Sequence, residues 1–451
     1  MSDSFAMKES SAISISSNGN VCTKQSRQVH PGLLKPMHFD FYPQGFQEFQ
    51  AVSIAQLSHH GNMRALQKLL SLHIIKNIAM IRFASALFLF NCIVVTSDAQ
   101  KDTGSKDFAV IAYYAGRTTM IDSFEVEKLT HLIFSFGHLK GDTFTISNAR
   151  DSATILRMVE LKKRNPQLKI ILSLGGWGGC QTCSPVFSTR YGRRIFSKSV
   201  KQSGKYFGTD GIDLDWEYPA IPGFPGHAYS PADKPNFTAL IKQLRRKLGK
   251  KKEISFAAGG FTSFLDSSVD WKNVMPKSDR VNLMSYDLVS GFSTVSGHHT
   301  PLYSTPQQVE SVDNGVKKLI AAGVPPGKIV IGAAFYARLF EVTDTLNNGL
   351  YLPARFYHGL SYSHFADTFS VNSGFIRYWD TLAKAPYAFN ILRKLMATYD
   401  DTESIKLKTE YVVKNKLNGI MFWQLANDSF SNGLLDVIAE VKKNNKVLIK
   451  K

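Results

Sequence analysis

The chain has 451 residues, 44% of them hydrophobic and 12% aromatic, with a formal net charge of +18. That length fits two or three average domains or one large α/β barrel with extensions, and the apolar content supports a real core, which excludes a disordered or fibrous chain. The basic residues are scattered over segments that read as exposed helix ends, such as 162–164 and 245–252, and no nucleic-acid-binding motif accompanies them. A solvated basic surface is therefore expected rather than a nucleic-acid partner.

Residues 1–79 are rich in Ser, Gln and His, show no sustained periodicity and read as an unstructured or over-extended N-terminal region. Met80, Ile81 and Arg82 then precede an apolar run over 83–95, interrupted only by Ser85 and Asn91 and followed by Ser97-Asp98-Ala99. A basic start, a short apolar stretch and a small-x-small end match a secretory signal peptide over 80–99. The run is short for a membrane span. The expectation is a functional start at Met80 or Met63, export to the periplasm or the exterior, and no stable membrane insertion after cleavage.

From Lys106 onward a strand–helix rhythm begins. Short apolar runs at 108–114, 131–136, 169–174, 211–216, 254–259, 280–285, 328–335 and 419–423 read as strands. Helical patterns at 153–163, 191–206, 234–248 and 305–322 lie between them. Such alternation argues for βαβ units and a parallel sheet, and eight repeats argue for an α/β fold of the (β/α)8 TIM-barrel type, over about 105–451. The long gap between the last two runs predicts a small α+β insertion near 340–400, rich in Tyr, Phe and Trp, between the seventh and eighth strands.

The fourth run carries the chemistry. Residues 210–219 read DGIDLDWEYP. Asp213, Asp215 and Glu217 alternate with Ile212, Leu214 and Trp216, the period of a strand whose successive side chains point to opposite faces. The acids share one face at a backbone spacing of roughly 6.6 Å. Like charges this close cannot all ionise freely, so at least one pKa must rise, and a carboxyl held protonated near neutral pH is what a general acid needs. A calcium or magnesium site would also use oxygen ligands, and a structural acidic edge is a third reading. The bulky interleaved residues favour a strand lining a polar cleft. Barrel active sites lie at the C-terminal strand ends, and the other strands deliver Tyr113, Phe136, Ser173, Trp177, Tyr286, Asp287, Tyr336, Arg338 and Trp423 there.

Of the four cysteines, Cys180 and Cys183 follow Gly-Gly-Trp-Gly-Gly as Cys-Gln-Thr-Cys. A zinc site lacks a second ligand pair and a redox pair would be expected to open a helix, so a local disulfide bracing the loop of an exported protein is the expectation.

Together these motifs resemble the family-18 glycoside hydrolases, in particular their chitinase branch. The acidic signature is matched by Asp210, Asp213, Asp215 and Glu217, followed by Tyr218-Pro219. Ser173-Leu174-Gly175-Gly176 matches the third-strand signature, Met284-Ser285-Tyr286-Asp287 the sixth, and Trp423 the eighth-strand tryptophan. The resemblance covers about 107–441. It implies retaining hydrolysis of β-1,4-linked N-acetylglucosamine with the substrate's acetamido group as nucleophile, an exception to the two-carboxylate scheme. Glu217 would be the acid, Asp215 would hold the acetamido N–H, and Asp213 would share a proton with Asp215. Tyr286 would meet the acetamido carbonyl and Asp287 would support the sugar. Tyr113 and Ser173 would steady the inner aspartates, Trp423 would floor the sugar, and Trp177, Tyr336, Arg338 and Phe136 would line the cleft. No metal or organic cofactor is implied. The expected partner is chitin or its oligosaccharides, and the expected state is a monomer. A glycan-core endo-β-N-acetylglucosaminidase and a lectin-like relative stay as alternatives; Trp216 and the aromatic insertion favour the chitin-like chain, and the presence of Glu217 weighs against the lectin.

Overall fold

A computed structural model describes residues 107–449, so the N-terminal region and the signal peptide expected over 80–99 lie outside the described residues. Eight parallel strands form a closed ring: β1 (Ala109–Tyr114), β2 (His131–Lys140), β4 (Lys169–Gly175), β5 (Gly211–Asp215), β6 (Glu253–Gly259), β7 (Arg280–Met284), β8 (Ile329–Ala334) and β14 (Gly419–Trp423). Pairing of β1 with both β2 and β14 closes it. A short β3 (Thr143–Thr145) pairs antiparallel with the end of β2. The expected (β/α)8 barrel is the observed fold.

The strands are apolar along their length because parallel barrel strands are buried on both faces. β8 and most of β14 show no exposed residue. Two cores result. The larger lies between the barrel and its helices and takes Ile212, Leu214 and Trp216 from the β5 segment. The smaller fills the barrel with Ile111, Ile133, Ile171, Val330, Met421 and their neighbours. The polar members of β5 therefore face inward.

The longer helices are α1 (Ala149–Glu160), α2 (Arg190–Phe207), α3 (Asp233–Leu248), α4 (Val312–Ala321), α5 (Thr402–Lys414) and α6 (Leu434–Ile449). Their starts follow local chemistry. The side chains of Asn148 and Thr189 each accept a backbone N–H of the first turn of α1 and α2, and Asp401 with Ser404 forms a reciprocal capping box on α5. Gly208, at φ 78°, ends α2 in the left-handed conformation. The helix expected over 305–322 begins only at Val312. Ser311 caps it, and Thr305 and Gln308 close a turn upstream that diverts the chain.

The insertion is a five-stranded antiparallel sheet in the order β10 (Ala354–Ser361), β9 (Tyr336–Val342), β13 (Leu395–Thr398), β12 (Ala385–Asn390), β11 (Ile376–Asp380). It opens at Tyr336, earlier than the 340 expected, so β8 runs almost directly into it. A buried ion pair anchors its return to the barrel. Lys408 Nζ lies 2.7 Å from both Asp400 oxygens and also donates to the Thr300 hydroxyl at 2.6 Å, while Asp400 Oδ2 accepts the Ala334 N–H at 3.0 Å. Among the described residues no helix is long and apolar enough to cross a membrane.

Candidate active site

Strand register builds the site. Ser173 on β4 pairs with Asp213 on β5, which pairs with Ser255 on β6, so three inward-facing polar residues form one row. Asp213 is fully buried. Its Oδ2 accepts from Tyr113 Oη at 3.1 Å and Ser173 Oγ at 2.9 Å; its Oδ1 accepts from Ser255 Oγ at 2.6 Å and Asn282 Nδ2 at 3.2 Å. Asn282 also donates to Tyr113 Oη at 3.0 Å. Burial raises the Asp213 pKa, and these four hydrogen bonds oppose the rise. The donors occupy both Asp213 oxygens, and none of its hydrogen bonds runs to Asp215. Tyr113 and Ser173 thus both donate to this inner aspartate. Ser255 and Asn282 were not anticipated: each is a single polar residue inside an apolar run, with no spacing to mark it.

Asp215 lies one step nearer the mouth. Its Oδ1 is buried and has no hydrogen-bond partner among the described residues. Burial, then the charges of Glu217 and Asp213, raises its pKa. Glu217 is buried too. Burial is the main cause that pushes its carboxyl up to about 8, with the negative charge of Asp287 adding to it. Two glycines let this strand end pack. An added Cβ on Gly175, which has φ 110°, would stand 2.1 Å from the Asp215 carbonyl oxygen, and one on Gly176, at φ 78°, would stand 2.4 Å from the Phe136 ring. Asp210 sits at the other end of β5, where it accepts the Ile170 N–H at 2.7 Å and Lys162 Nζ at 2.6 Å. It is a support for the strand, away from the mouth.

After β7, two strands round the ring from β5, Tyr286 is buried with its hydroxyl 3.8 Å from the Met421 sulfur. Its phenol pKa is raised well above 10, by burial first and by the Asp215 charge second. Asp287, at φ 57°, accepts Tyr336 Oη at 2.6 Å and both Nε and Nη2 of Arg338, the latter at 2.5 Å. His299 Nδ1 stands 3.5 Å from the same carboxylate. Burial opposes ionisation of Asp287, but His299 and Arg338 outweigh it and hold the group well below the usual carboxylate range. His299 carried no sequence signal, since it reaches Asp287 only through the fold. Trp423 stacks on Phe136 with ring centroids 5.6 Å apart and interplanar angle 14°, and Tyr113 leans on it at 6.1 Å. Three non-proline peptide bonds at these strand ends are cis: Ser135–Phe136, Glu217–Tyr218 and Trp423–Gln424.

Residues 109–428 match the family described as Glycosyl hydrolases family 18. The chain belongs to glycosyl hydrolase family 18. Its relatives in the family include Chitinase A1 of Niallia circulans, 32% identical over 302 residues that cover 61% of this chain and 43% of that protein, so the chain spans less than half of that relative's length. Chitotriosidase-1 of Mus musculus is 29% identical over 67% of each chain. Among solved structures, a family-18 N-acetylglucosaminidase from Paenibacillus barengoltzii aligns with TM-score 0.68 at 35% identity, covering 74% of this chain and 99% of that one. Chitinase ChiA74 from Bacillus thuringiensis aligns with TM-score 0.71 at 26% identity, covering 75% of this chain and 70% of that one.

Two tryptophans take different positions in this family-18 barrel. Trp216 points away from the mouth: it packs on Phe187 and Phe237 and donates Nε1–H to His227 Nε2 at 3.2 Å. It anchors the strand end and cannot face a sugar. Trp177 remains 46% exposed, but it touches Tyr218, Phe224 and Phe292 rather than standing alone. Cys180 and Cys183 are disulfide-bonded in the loop behind it, with Cα atoms 5.2 Å apart.

Proposed function

We propose that the protein is a chitinase that hydrolyses β-1,4-linked N-acetylglucosamine chains with retention of anomeric configuration. The observation that carries this reading is the burial of Glu217 and Asp215 together at the end of β5, with the Asp215 Oδ1 left without a hydrogen-bond partner among the described residues. At pH 7 Glu217, with a pKa near 8, holds the proton that a leaving glycosidic oxygen needs. Asp215 Oδ1 has no hydrogen-bond partner among the described residues and is available to accept an acetamido N–H.

In the first step the acetamido carbonyl oxygen attacks the anomeric carbon. The bond to the glycosidic oxygen breaks, and Glu217 gives that oxygen its proton. The product is an oxazolinium ion whose positive charge the Asp215 carboxylate stabilises. In the second step water attacks the anomeric carbon, the ring opens, and Glu217 takes the water's proton, which restores the starting state. Holding the carbonyl against the reacting carbon supplies a high effective molarity. Tyr286, whose hydroxyl lies 3.8 Å from the Met421 sulfur, donates to the acetamido oxygen. Trp423, held flat by Phe136, is the floor for the sugar. Asp213, locked by four donors, fixes the height of β5 and keeps a second charge near Asp215, which supports the proposed coupling of the two acids. Asp287, Tyr336 and Arg338 form the wall supplied by β7 and the insertion.

The Cys180–Cys183 disulfide fits an oxidising compartment, which supports export. The test is hydrolysis of chitin oligosaccharides by the wild-type chain beside Glu217→Gln. Cleavage by the wild type, retained oligosaccharide binding and a loss of most turnover in the variant are expected. Equal turnover in both would refute the role of Glu217, and binding without cleavage by the wild type would replace the hydrolase reading with a lectin-like one.

A further inference from the structure

Tyr286 stands between two residues that one dipeptide holds. On one side, His299 Nδ1 lies 3.5 Å from the backbone nitrogen of Asp287 and 3.5 Å from its carboxylate. On the other, Thr300 Oγ1 donates to the carbonyl oxygen of Ser285 at 3.0 Å. Consecutive residues of the chain after β7 thus grip the backbone before and after the phenol. Ser285 extends the grip to β8. Its Oγ donates to the Gly332 carbonyl oxygen at 3.0 Å and accepts the Gly332 N–H at 2.9 Å. Gly332 backs the Tyr286 ring, since a Cβ added there would stand 2.8 Å from it. Ser285, His299 and Thr300 are all buried.

The dipeptide is itself fixed by the segment that returns from the insertion. The His299 N–H donates to Thr398 Oγ1 at 3.0 Å. Lys408 Nζ lies 2.7 Å from the Thr300 carbonyl oxygen and 2.6 Å from its hydroxyl, besides its contacts with both Asp400 oxygens. An ammonium group only donates, so the Thr300 hydroxyl accepts from Lys408 and keeps its single proton for another acceptor. The Ser285 carbonyl oxygen, at 3.0 Å, is nearer than Asp400 Oδ2, at 3.4 Å. Lys408 therefore turns the Thr300 hydroxyl toward the strand end that carries Tyr286. A buried network with its members satisfied holds one arrangement.

We infer that Thr300 is a positioning residue for Tyr286, aimed by the buried Lys408–Asp400 pair. This rests on the proposed role of Tyr286 as donor to the acetamido oxygen, and it names what keeps that donor in place. Displacing a reacting group by a fraction of an ångström is costly even when the change lies away from the chemistry. The ion pair is a poor place to test the idea, because removing one partner leaves a buried charge uncompensated. Thr300 allows a neutral change that leaves the pair intact.

The experiment measures kcat on an N-acetylglucosamine hexasaccharide, and the melting temperature, with the full chain. Thr300→Val removes the hydroxyl at constant shape, Thr300→Ala removes it without new bulk, and Thr300→Ser keeps it. The Val and Ala variants should turn over roughly 3- to 10-fold more slowly than the wild type, and the Ser variant should match it. The Val change is then repeated in Tyr286→Phe. With the phenol hydroxyl gone there is no donor left to position, so kcat should fall no further. A merely structural Thr300 would lower kcat by the same factor in both backgrounds. That result, or an unchanged kcat in Thr300→Val and Thr300→Ala, would overturn the positioning role while the hydrolase reading stands. A wild-type kcat in Tyr286→Phe, or no cleavage by the wild type, would remove the role of Tyr286 and this inference with it.

Discussion

Arg338, on the first strand of the insertion, clasps Asp287 at the end of β7 with two guanidinium nitrogens, and Nη2 lies 2.5 Å from Oδ2. This fork joins the added sheet to the catalytic end of the barrel. It also keeps Asp287 ionised, and that charge helps to hold Glu217 protonated.

Replacing Arg338 with Met removes both donors and leaves the carboxylate with Tyr336 and His299. Hydrogen bonds to charged groups contribute about 1.5–3 kcal/mol, so kcat/KM on chitin oligosaccharides should fall by roughly 10- to 100-fold. Arg338→Lys keeps the charge but loses the fork and should lie between the two. Steady-state kinetics of the three proteins decides; equal values would separate the fork from catalysis.

The proposed acid role of Glu217 predicts a basic limit of activity. An acid must carry its proton, so turnover should fall as pH rises through about 8. Stability follows the same group. Its folded pKa lies above the ordinary 4.5, so between those values the folded protein keeps a proton that the unfolded chain has released. Stability from this group is therefore present at low pH and is lost as pH rises across that window, by at most about 1.4 kcal/mol per pH unit. Glu217→Gln should flatten this slope and melt higher than the wild type at pH 8, with the gap narrowing toward pH 5. Parallel melting curves at all pH values would contradict the assignment.

Asn282 positions rather than reacts. Asn282→Leu removes the donor shared by Tyr113 and Asp213 inside a closed core. A stability loss of about 1–3 kcal/mol is expected. One of the hydrogen bonds that holds the Asp213 pKa down also disappears, so the acidic limb of the pH–rate profile should move to higher pH. A purely structural residue would lower the melting temperature and leave that limb in place.

The Cys180–Cys183 bridge closes a very short loop. Chain entropy assigns it about 2 kcal/mol. The double Ser variant should melt a few degrees lower, and a reductant should bring the wild type to the same value. Equal melting temperatures of the double Ser variant and the wild type would show that the bridge contributes nothing to stability.

Much of the molecule was legible from local pattern. The eight strands fall within a residue or two of the apolar runs over most of their lengths, because burial on both faces of a parallel barrel demands unbroken apolar segments. The inward face of β5 followed from alternation alone. The same alternation placed Trp216 on the outer face, where it packs on Phe187 and Phe237. The start of α4 at Val312 was missed because the turn around Thr305 and the Ser311 cap compete with a pattern that suits a helix throughout.

The sequence by itself determined the barrel, the order of its strands and the row of acids, since those depend on residue periodicity within single segments. Only the tertiary structure decided what surrounds the acids. Ser255 and Asn282 meet Asp213 from strands far apart in the chain, His299 folds back onto Asp287 within one loop, and Phe292 meets Trp177 across two intervening strands. The shifts at Asp213, Asp215, Glu217 and Asp287 likewise arise from burial and from neighbours that barrel closure brings together, and no spacing in a linear chain encodes that enclosure.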